Sequence, residues 1–254
     1  MNRLKGKTAI ITGATAGIGM KTAELLAAEG VNVILTGRRK ARLEEIAETI
    51  RNKYGVEVET AAFDIQDSKA CESFVESLKG SVDILVNNAG LAKGTDPVFD
   101  ASFDDWDTMI DTNVKGLLYL SRLISPLMKK RNAGHIINVG STAGHESYAG
   151  GVVYSATKHA VKAITESTKK DLHGTNVRVS MVSPGLVETE FSEVRFYGDK
   201  EKAAKVYKGM KPLVAQDIAE IIVFIANRPD HVNIMDTIIY PVSQSSATMV
   251  HRDE

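Results

Sequence analysis

A chain of 254 residues that is 43% hydrophobic and 25% charged carries enough apolar matter for a sizeable core, which excludes a disordered or fibrous protein. Its 31 basic and 32 acidic residues leave a net charge of -1, so no broad positive field exists to hold nucleic acid or an anionic membrane. Cys71 is the only cysteine, which excludes an internal disulfide and a thiolate-rich metal cage; no metal is expected, and the apolar run near the N-terminus is too short for a signal or membrane segment, so a cytoplasmic protein is expected.

The first strand, predicted over 8–12, runs into Thr12-Gly13-Ala14-Thr15-Ala16-Gly17-Ile18-Gly19, and a helix follows over 18–29. A dinucleotide pyrophosphate requires this context. Glycines permit a tight turn and close backbone approach, and the helix N-terminus offers unpaired N–H groups to the anion. The spacing is Gly-x-x-x-Gly-x-Gly rather than the commoner Gly-x-Gly-x-x-Gly, and the plain alternative is a turn without a ligand. A second strand over 32–36 ends at Gly37-Arg38-Arg39, before a helix over 40–53. NAD-preferring sites place an acidic residue here for the ribose 2′-OH. Two guanidiniums instead match a 2′-phosphate in charge and fork geometry, so NADP is expected; the alternative is a pair of solvated arginines at a helix start.

A third strand over 57–63 closes at Asp64-Ile65 before a helix over 68–78, and a fourth over 84–87 closes at Asn87-Asn88-Ala89-Gly90. Both lie at the carboxyl edge, where open parallel sheets bind ligands, although turn chemistry explains each alone. A long helix over 106–130 carries Asn113, placed to fix a helix kink or a water chain. After a strand over 135–139 comes Ser141, whose hydroxyl can bond a substrate carbonyl. In the helix over 154–173, Tyr154 and Lys158 stand at i and i+4 on one face. A phenol with a pKa near ~10 is a poor acid–base group at neutral pH, and an adjacent ammonium is expected to lower that value.

A Tyr-x-x-x-Lys pair alone is an ordinary exposed helix face. Here it follows the glycine turn, the Asn-Asn-Ala-Gly segment and Ser141, and precedes Pro184-Gly185, which follows a strand over 177–182. The stretch 185–211 lacks periodicity and is expected to be a mobile flap, with a partly helical surface excursion as the alternative. A helix over 216–227, a strand over 237–240 and a tail over 242–254 complete the chain. Strands and helices thus alternate. The expected fold is α/β: one domain over 1–254, a Rossmann-type doubly wound parallel sheet of about seven strands with helices on both faces.

From Lys7 to about Pro241 these motifs resemble the short-chain dehydrogenases/reductases. The resemblance implies an oxidoreductase in which Tyr154 is the acid–base residue, Lys158 binds the nicotinamide ribose and lowers the tyrosine pKa, Ser141 orients the substrate oxygen and Asn113 supports a proton relay. It implies NADP contacts from Thr12, Gly13, Thr15, Ala16, Gly17, Ile18, Gly19, Arg38, Arg39, Asp64, Ile65 and Asn88. Tyr154, Lys158, Pro184, Gly185, Val187, Thr189 and Phe191 complete that set, and a homotetramer is implied too. Gly140-Ser141-Thr142-Ala143-Gly144, Tyr148-Ala149-Gly150-Gly151, the run from Glu190 to Phe196, and Val250-His251-Arg252 are similar to the branch that acts on 3-hydroxy acids such as serine, L-allo-threonine and 3-hydroxypropionate.

A small carboxylate-bearing substrate needs a cation, and Arg195 lies in the flap to supply one, with Tyr148 as a hydroxyl donor; a solvated loop cation is the alternative. His145 and Glu146 either line that pocket or flank it. A sulfonated aldehyde would satisfy the same arginine. A sugar, acyl-thioester or ketone reductase on this scaffold would not require it. A non-catalytic NADP-binding sensor is a further alternative, against which the intact Tyr154/Lys158 pair argues.

Overall fold

The computed structural model describes residues 2–253. Strands β1 (Thr8–Thr12), β2 (Asn32–Gly37), β3 (Val58–Ala62), β4 (Ile84–Asn87), β5 (Gly134–Val139), β6 (Val177–Pro184) and, further on, β9 (Asp236–Ile239) form one sheet. Its order is β3-β2-β1-β4-β5-β6-β9, and all pairings are parallel. Consecutive residues of a strand face opposite layers, so Ile10 and Ile11 of β1 enter two different cores. On one face Ile11, Val33, Leu35 and Val182 pack against α1 (Gly17–Ala28), α2 (Lys40–Tyr54) and α9 (Ala215–Ala226). On the other, Ile10, Leu85, Ile136 and Val179 meet Phe74 of α3 (Ser68–Glu76) and Leu120 and Ile124 of α5 (Leu117–Arg131). The chain turns from one half of the sheet to the other between β1 and β4, and the carboxyl ends of those strands open the crevice there.

The helix expected over 106–130 is not continuous. It is α4 (Phe103–Ile110), a π-helical turn over Asp111–Gly116, then α5. The wide turn places Asn113 inward, where Leu91 N donates to Oδ1 at 2.8 Å and Nδ2 donates to Leu91 O at 2.8 Å. A side-chain demand that interrupts the i→i−4 ladder explains the bulge. A buried polar chain then ties the sheet to two helices. Asn87 Nδ2 donates to Ser121 Oγ of α5 and to Asn138 Oδ1, while Asn138 Nδ2 donates to Thr165 Oγ1 of α6 (Val152–Asp171). Asn87 and Asn138 are register partners, so slipping β4 against β5 would leave buried amides unpaired.

The stretch expected to be a mobile flap is built of short elements: β7 (Val187–Glu188), α7 (Glu190–Arg195), α8 (Lys200–Lys205) and β8 (Leu213–Val214), with β7 and β8 paired in parallel. Each of its two helices is six residues long, too short to print a 3.6 period in the sequence. The chain's last residues fold back on it: Arg252 Nη2 donates to Val206 O at 2.9 Å and Asp253 N to Gly209 O at 2.7 Å. Among the described residues no helix is long and apolar enough to cross a membrane, and no group of three or more His, Cys, Asp or Glu is placed to hold a metal. Cys71 is buried, and burial pushes its thiol up to about 11.

Candidate active site

One cavity of about 420 Å³ opens at the carboxyl edge of the sheet, and every site residue expected from the sequence lines it except Gly19 and Asn113. The glycine turn is shaped for a close ligand. Gly13 (φ +65°) and Gly17 (φ +53°) adopt backbone conformations that L side chains rarely take. Ala16, which caps α1, makes no side-chain cap bond, so the first N–H groups of that helix stay available to an anion. Gly19 acts from behind: a Cβ there would run into the Asn88 amide and the Gly13 carbonyl. Gly19→Ala should therefore cost about 1–3 kcal/mol of stability and displace the turn, read by thermal melting and by weakened NADP binding in calorimetry.

Two residues expected to contact the cofactor are engaged as braces of this turn. Thr12 Oγ1 donates to Val86 O and accepts from the backbone N–H groups of Asn88 and Ala89, at 2.9 and 2.8 Å. Asn88 Nδ2 donates to Thr12 O and Gly13 O. At the end of β2, Arg39 Nε and Nη2 donate to Thr15 Oγ1 at 3.2 and 2.8 Å, and Nη1 meets Glu190 Oε2 at 3.0 Å. Arg38 Nη1 stands 3.8 Å from Asp64 Oδ2. Both guanidiniums are more than half exposed at the cavity mouth. The glycine cradle, the free helix N-terminus and the two arginines fit a dinucleotide with a 2′-phosphate.

At the other end of the cavity stand Tyr154 and Lys158 on α6, with Ser141 between β5 and a short 3₁₀ turn over Thr142–Gly144. The Tyr154 ring packs edge-on against Phe191, with centroids 5.6 Å apart. Lys158 is buried, and its Nζ donates to Val139 O at 3.0 Å and lies 5.9 Å from the Tyr154 ring centroid. No carboxylate pairs with it among the described residues, so burial pushes its ammonium down to about 8. The phenol does not show the expected lowering. Burial pushes Tyr154 up to about 12, opposed by the Ser141 hydroxyl and the Arg195 charge, while Lys158, turned to Val139, contributes nothing resolvable. Asn113 spends its amide on Leu91 and Thr157, and among the described residues no hydrogen bond joins it to Lys158.

The substrate end is closed by α7. Arg195 Nη2 donates to Tyr148 Oη at 2.7 Å and Nε donates to Gly94 O at 3.2 Å. Its guanidinium carbon lies 5.6 Å from the ring centroids of both Tyr148 and Tyr154, and it pairs with no carboxylate among the described residues. His145 and Glu146 flank the pocket. His145 Nε2 meets Ser183 Oγ and Asp236 Oδ2, and Glu146 Oε2 accepts from Ala247 N. Sequence reasoning missed three contributors: Gly94, whose carbonyl anchors Arg195; the Val139 carbonyl that holds Lys158; and Gln244, whose Oε1 accepts from Leu186 N beside the cavity. Two of these act through backbone carbonyls, and Gln244 lies in the tail ahead of Val250-His251-Arg252 and outside any motif, so no side-chain pattern signals them.

The chain is similar along its whole length to proteins of one family. It is 47% identical over 258 residues to the NADP-dependent 3-hydroxy acid dehydrogenase of Schizosaccharomyces pombe, with all of both chains covered. It is 48% identical over 248 residues to the NADP-dependent 3-hydroxy acid dehydrogenase YdfG of Salmonella typhi, covering 96% of this chain and 98% of that one. A closed form of a serine dehydrogenase complexed with NADP+ superposes with a TM-score of 0.91 at 46% identity, over 97% of this chain and 100% of the other. The serine dehydrogenase of Escherichia coli gives 0.81 at 41% identity, over 94% and 99%. Residues 7–199 match the family described as short chain dehydrogenase. With that match over more than half of its length and relatives at 47–48% identity along the whole of it, this chain is a short-chain dehydrogenase.

Proposed function

We propose that the protein is an NADP-dependent oxidoreductase that interconverts small 3-hydroxy acids, of the serine, L-allo-threonine and 3-hydroxypropionate type, with the matching 3-oxo acids or semialdehydes. The observation that carries the substrate class is Arg195, a cation without a carboxylate partner among the described residues, set beside Tyr154 and Tyr148. The similarity to 3-hydroxy acid and serine dehydrogenases supports the same reading. Arg38 and Arg39 hold the 2′-phosphate, the turn from Gly13 to Gly19 and the N-terminus of α1 hold the pyrophosphate, and Lys158 holds the nicotinamide ribose. Asp64, Ile65, Pro184, Gly185, Val187, Thr189 and Phe191 line the rest of the cofactor's path.

NADP supplies the hydride acceptor or donor. Arg195 and Tyr148 hold the carboxylate, which leaves the 3-hydroxyl, two carbon–carbon bonds away, beside Ser141 and Tyr154. Ser141 Oγ orients that oxygen. Tyr154 Oη takes its proton in oxidation and returns it in reduction. A phenol raised to about 12 stays protonated through the neutral range, which suits the donation of a proton to a 3-oxo acid. Oxidation needs the phenolate and should accelerate as the pH rises. Asn113 positions Leu91 and Thr157 around Lys158 rather than touching substrate.

Exposed apolar side chains on α4 and α5 (Phe103, Ile110, Leu118) and on α9 and β9 (Phe224, Ile238) support assembly into a homotetramer through two faces. The single buried thiol supports a reducing, cytoplasmic setting. Arg195→Ala tests the substrate assignment. It should raise KM for 3-hydroxypropionate by about 10-fold or more, the loss of a charge-assisted hydrogen bond, while NADP affinity and the KM for uncharged 1,3-propanediol stay as they are. Equal KM values for the acid in wild type and variant would remove the acid clamp and favour a neutral carbonyl substrate.

A further inference from the structure

The flap rests on the glycine turn at its start. A Cβ on Gly17 would lie 3.3 Å from Thr189 Cβ, so Thr189 sits directly over that turn. One residue on, Glu190 Oε2 takes Arg39 Nη1 at 3.0 Å, a contact between residues 151 apart in sequence. Arg39 Nε and Nη2 are both turned to Thr15 Oγ1 and Nη1 to Glu190, which leaves one N–H on each Nη of this guanidinium beside the bound carboxylate. Arg39 stands at the end of β2 and Glu190 opens α7; both line the cavity, and their pair bridges its mouth. The two side chains are 52% and 48% exposed, so water screens the pair and it can exchange for another anion at small cost.

We propose that Glu190 is an internal competitor for Arg39: its carboxylate latches the flap across the cofactor cleft, and a 2′-phosphate binding the same guanidinium is repelled by that carboxylate and drives it off. This rests on the reading of Arg38 and Arg39 as the 2′-phosphate site. Carboxylate and phosphate are both acceptors for the planar fork of arginine, and held side by side on one guanidinium they repel each other. A nucleotide without the 2′-phosphate does not meet Glu190 at Arg39, so its binding is indifferent to the latch. The same six-residue helix continues through Phe191, packed on Tyr154, to Arg195, bonded to Tyr148. Exchange at Arg39 therefore frees one end of the element whose other end carries the cation for the substrate acid. Glu190 is a specificity-determining residue that the cofactor senses before the substrate arrives.

Calorimetric titration of the full-length protein with 2′,5′-ADP and with 5′-ADP tests this, on wild type, Glu190→Gln, Arg39→Ala and the double variant. Glu190→Gln should bind 2′,5′-ADP about threefold tighter, the size of one exposed ion pair, and bind 5′-ADP as wild type does. Without nucleotide, the backbone amides of 187–211 should exchange hydrogen faster in Glu190→Gln than in wild type. Arg39→Ala should weaken 2′,5′-ADP by about tenfold, and adding Glu190→Gln to it should change nothing further. Unchanged or weaker 2′,5′-ADP binding by Glu190→Gln, with Arg39→Ala weakened, overturns the latch while leaving the phosphate site standing. Wild-type affinity for 2′,5′-ADP in Arg39→Ala overturns the assignment of Arg39 to the 2′-phosphate, and the latch with it.

Discussion

Tyr154→Phe is expected to lower turnover of a 3-hydroxy acid by about 10³-fold while leaving NADP binding unchanged. The substitution removes one oxygen and keeps the ring, so the edge-on contact with Phe191 and the packing around Leu91 and Met109 survive. What is lost is the hydroxyl that lines the cavity with Ser141 and Arg195 and that the proposed mechanism uses to exchange a proton with the substrate oxygen. Steady-state kinetics in both directions, with calorimetric NADP binding as the control, distinguish this from a folding defect. The pH profile adds a second reading. With the phenol pushed up to about 12, wild-type oxidation should rise with pH through the alkaline range as phenolate becomes available, and the variant's residual rate should not. A Tyr154→Phe enzyme within tenfold of wild type would assign proton transfer to another group.

Lys158→Met should do two opposite things: cut turnover by about 10²-fold or more and stabilise the fold. Among the described residues the lysine is buried without a carboxylate partner, and burial alone pushes its pKa from 10.5 down to about 8. In the unfolded chain the ammonium keeps its ordinary value, so between pH 8 and 10.5 the unfolded state binds more protons and stability rises with pH. Below pH 8 the full cost of holding the charge in the interior is present. At neutral pH that cost is on the order of 3 kcal/mol, and losing the bond to Val139 O takes back about 1. The expected net gain is about 2 kcal/mol, or roughly 4–8 °C in Tm for a domain of this size. Thermal melts at pH 7 and pH 10.5 check it. The variant's advantage should shrink at the higher pH, and a variant that melts below wild type at both would contradict the burial account.

Much of this was legible in the sequence because the relevant signals are local. The turn from Gly13 to Gly19, the arginines after β2 and the i, i+4 pair on α6 lie within single elements, where spacing maps directly onto geometry. The strands predicted at 8–12 and 84–87 coincide with β1 and β4, and those near 57–63 and 237–240 differ by a residue or so at their ends, where caps rather than cores decide. What escaped depends on distant partners. The π-helical turn at Asp111–Gly116 is invisible to periodicity because it holds a single apolar side chain, Val114, too little to register a change of period, and only the bonds of Asn113 to Leu91 explain it. The direction of the Tyr154 shift could not be read from the nearness of Lys158, since Val139, in a strand 19 residues upstream of it, decides where that ammonium points. Likewise Glu190 stands in a recognisable motif, yet nothing in the sequence pairs it with Arg39.

We propose one division of labour: Tyr154 and Arg195 serve one small acid while Arg38 and Arg39 select its cofactor. It is tested most directly by following nicotinamide absorbance as the purified protein meets serine, L-allo-threonine or 3-hydroxypropionate. Each acid should reduce NADP+, with kcat/KM at least about tenfold higher than with NAD+ or with uncharged 1,3-propanediol. NADP binding without reduction by any of these acids, or faster reduction by the diol than by the acids, would contradict it.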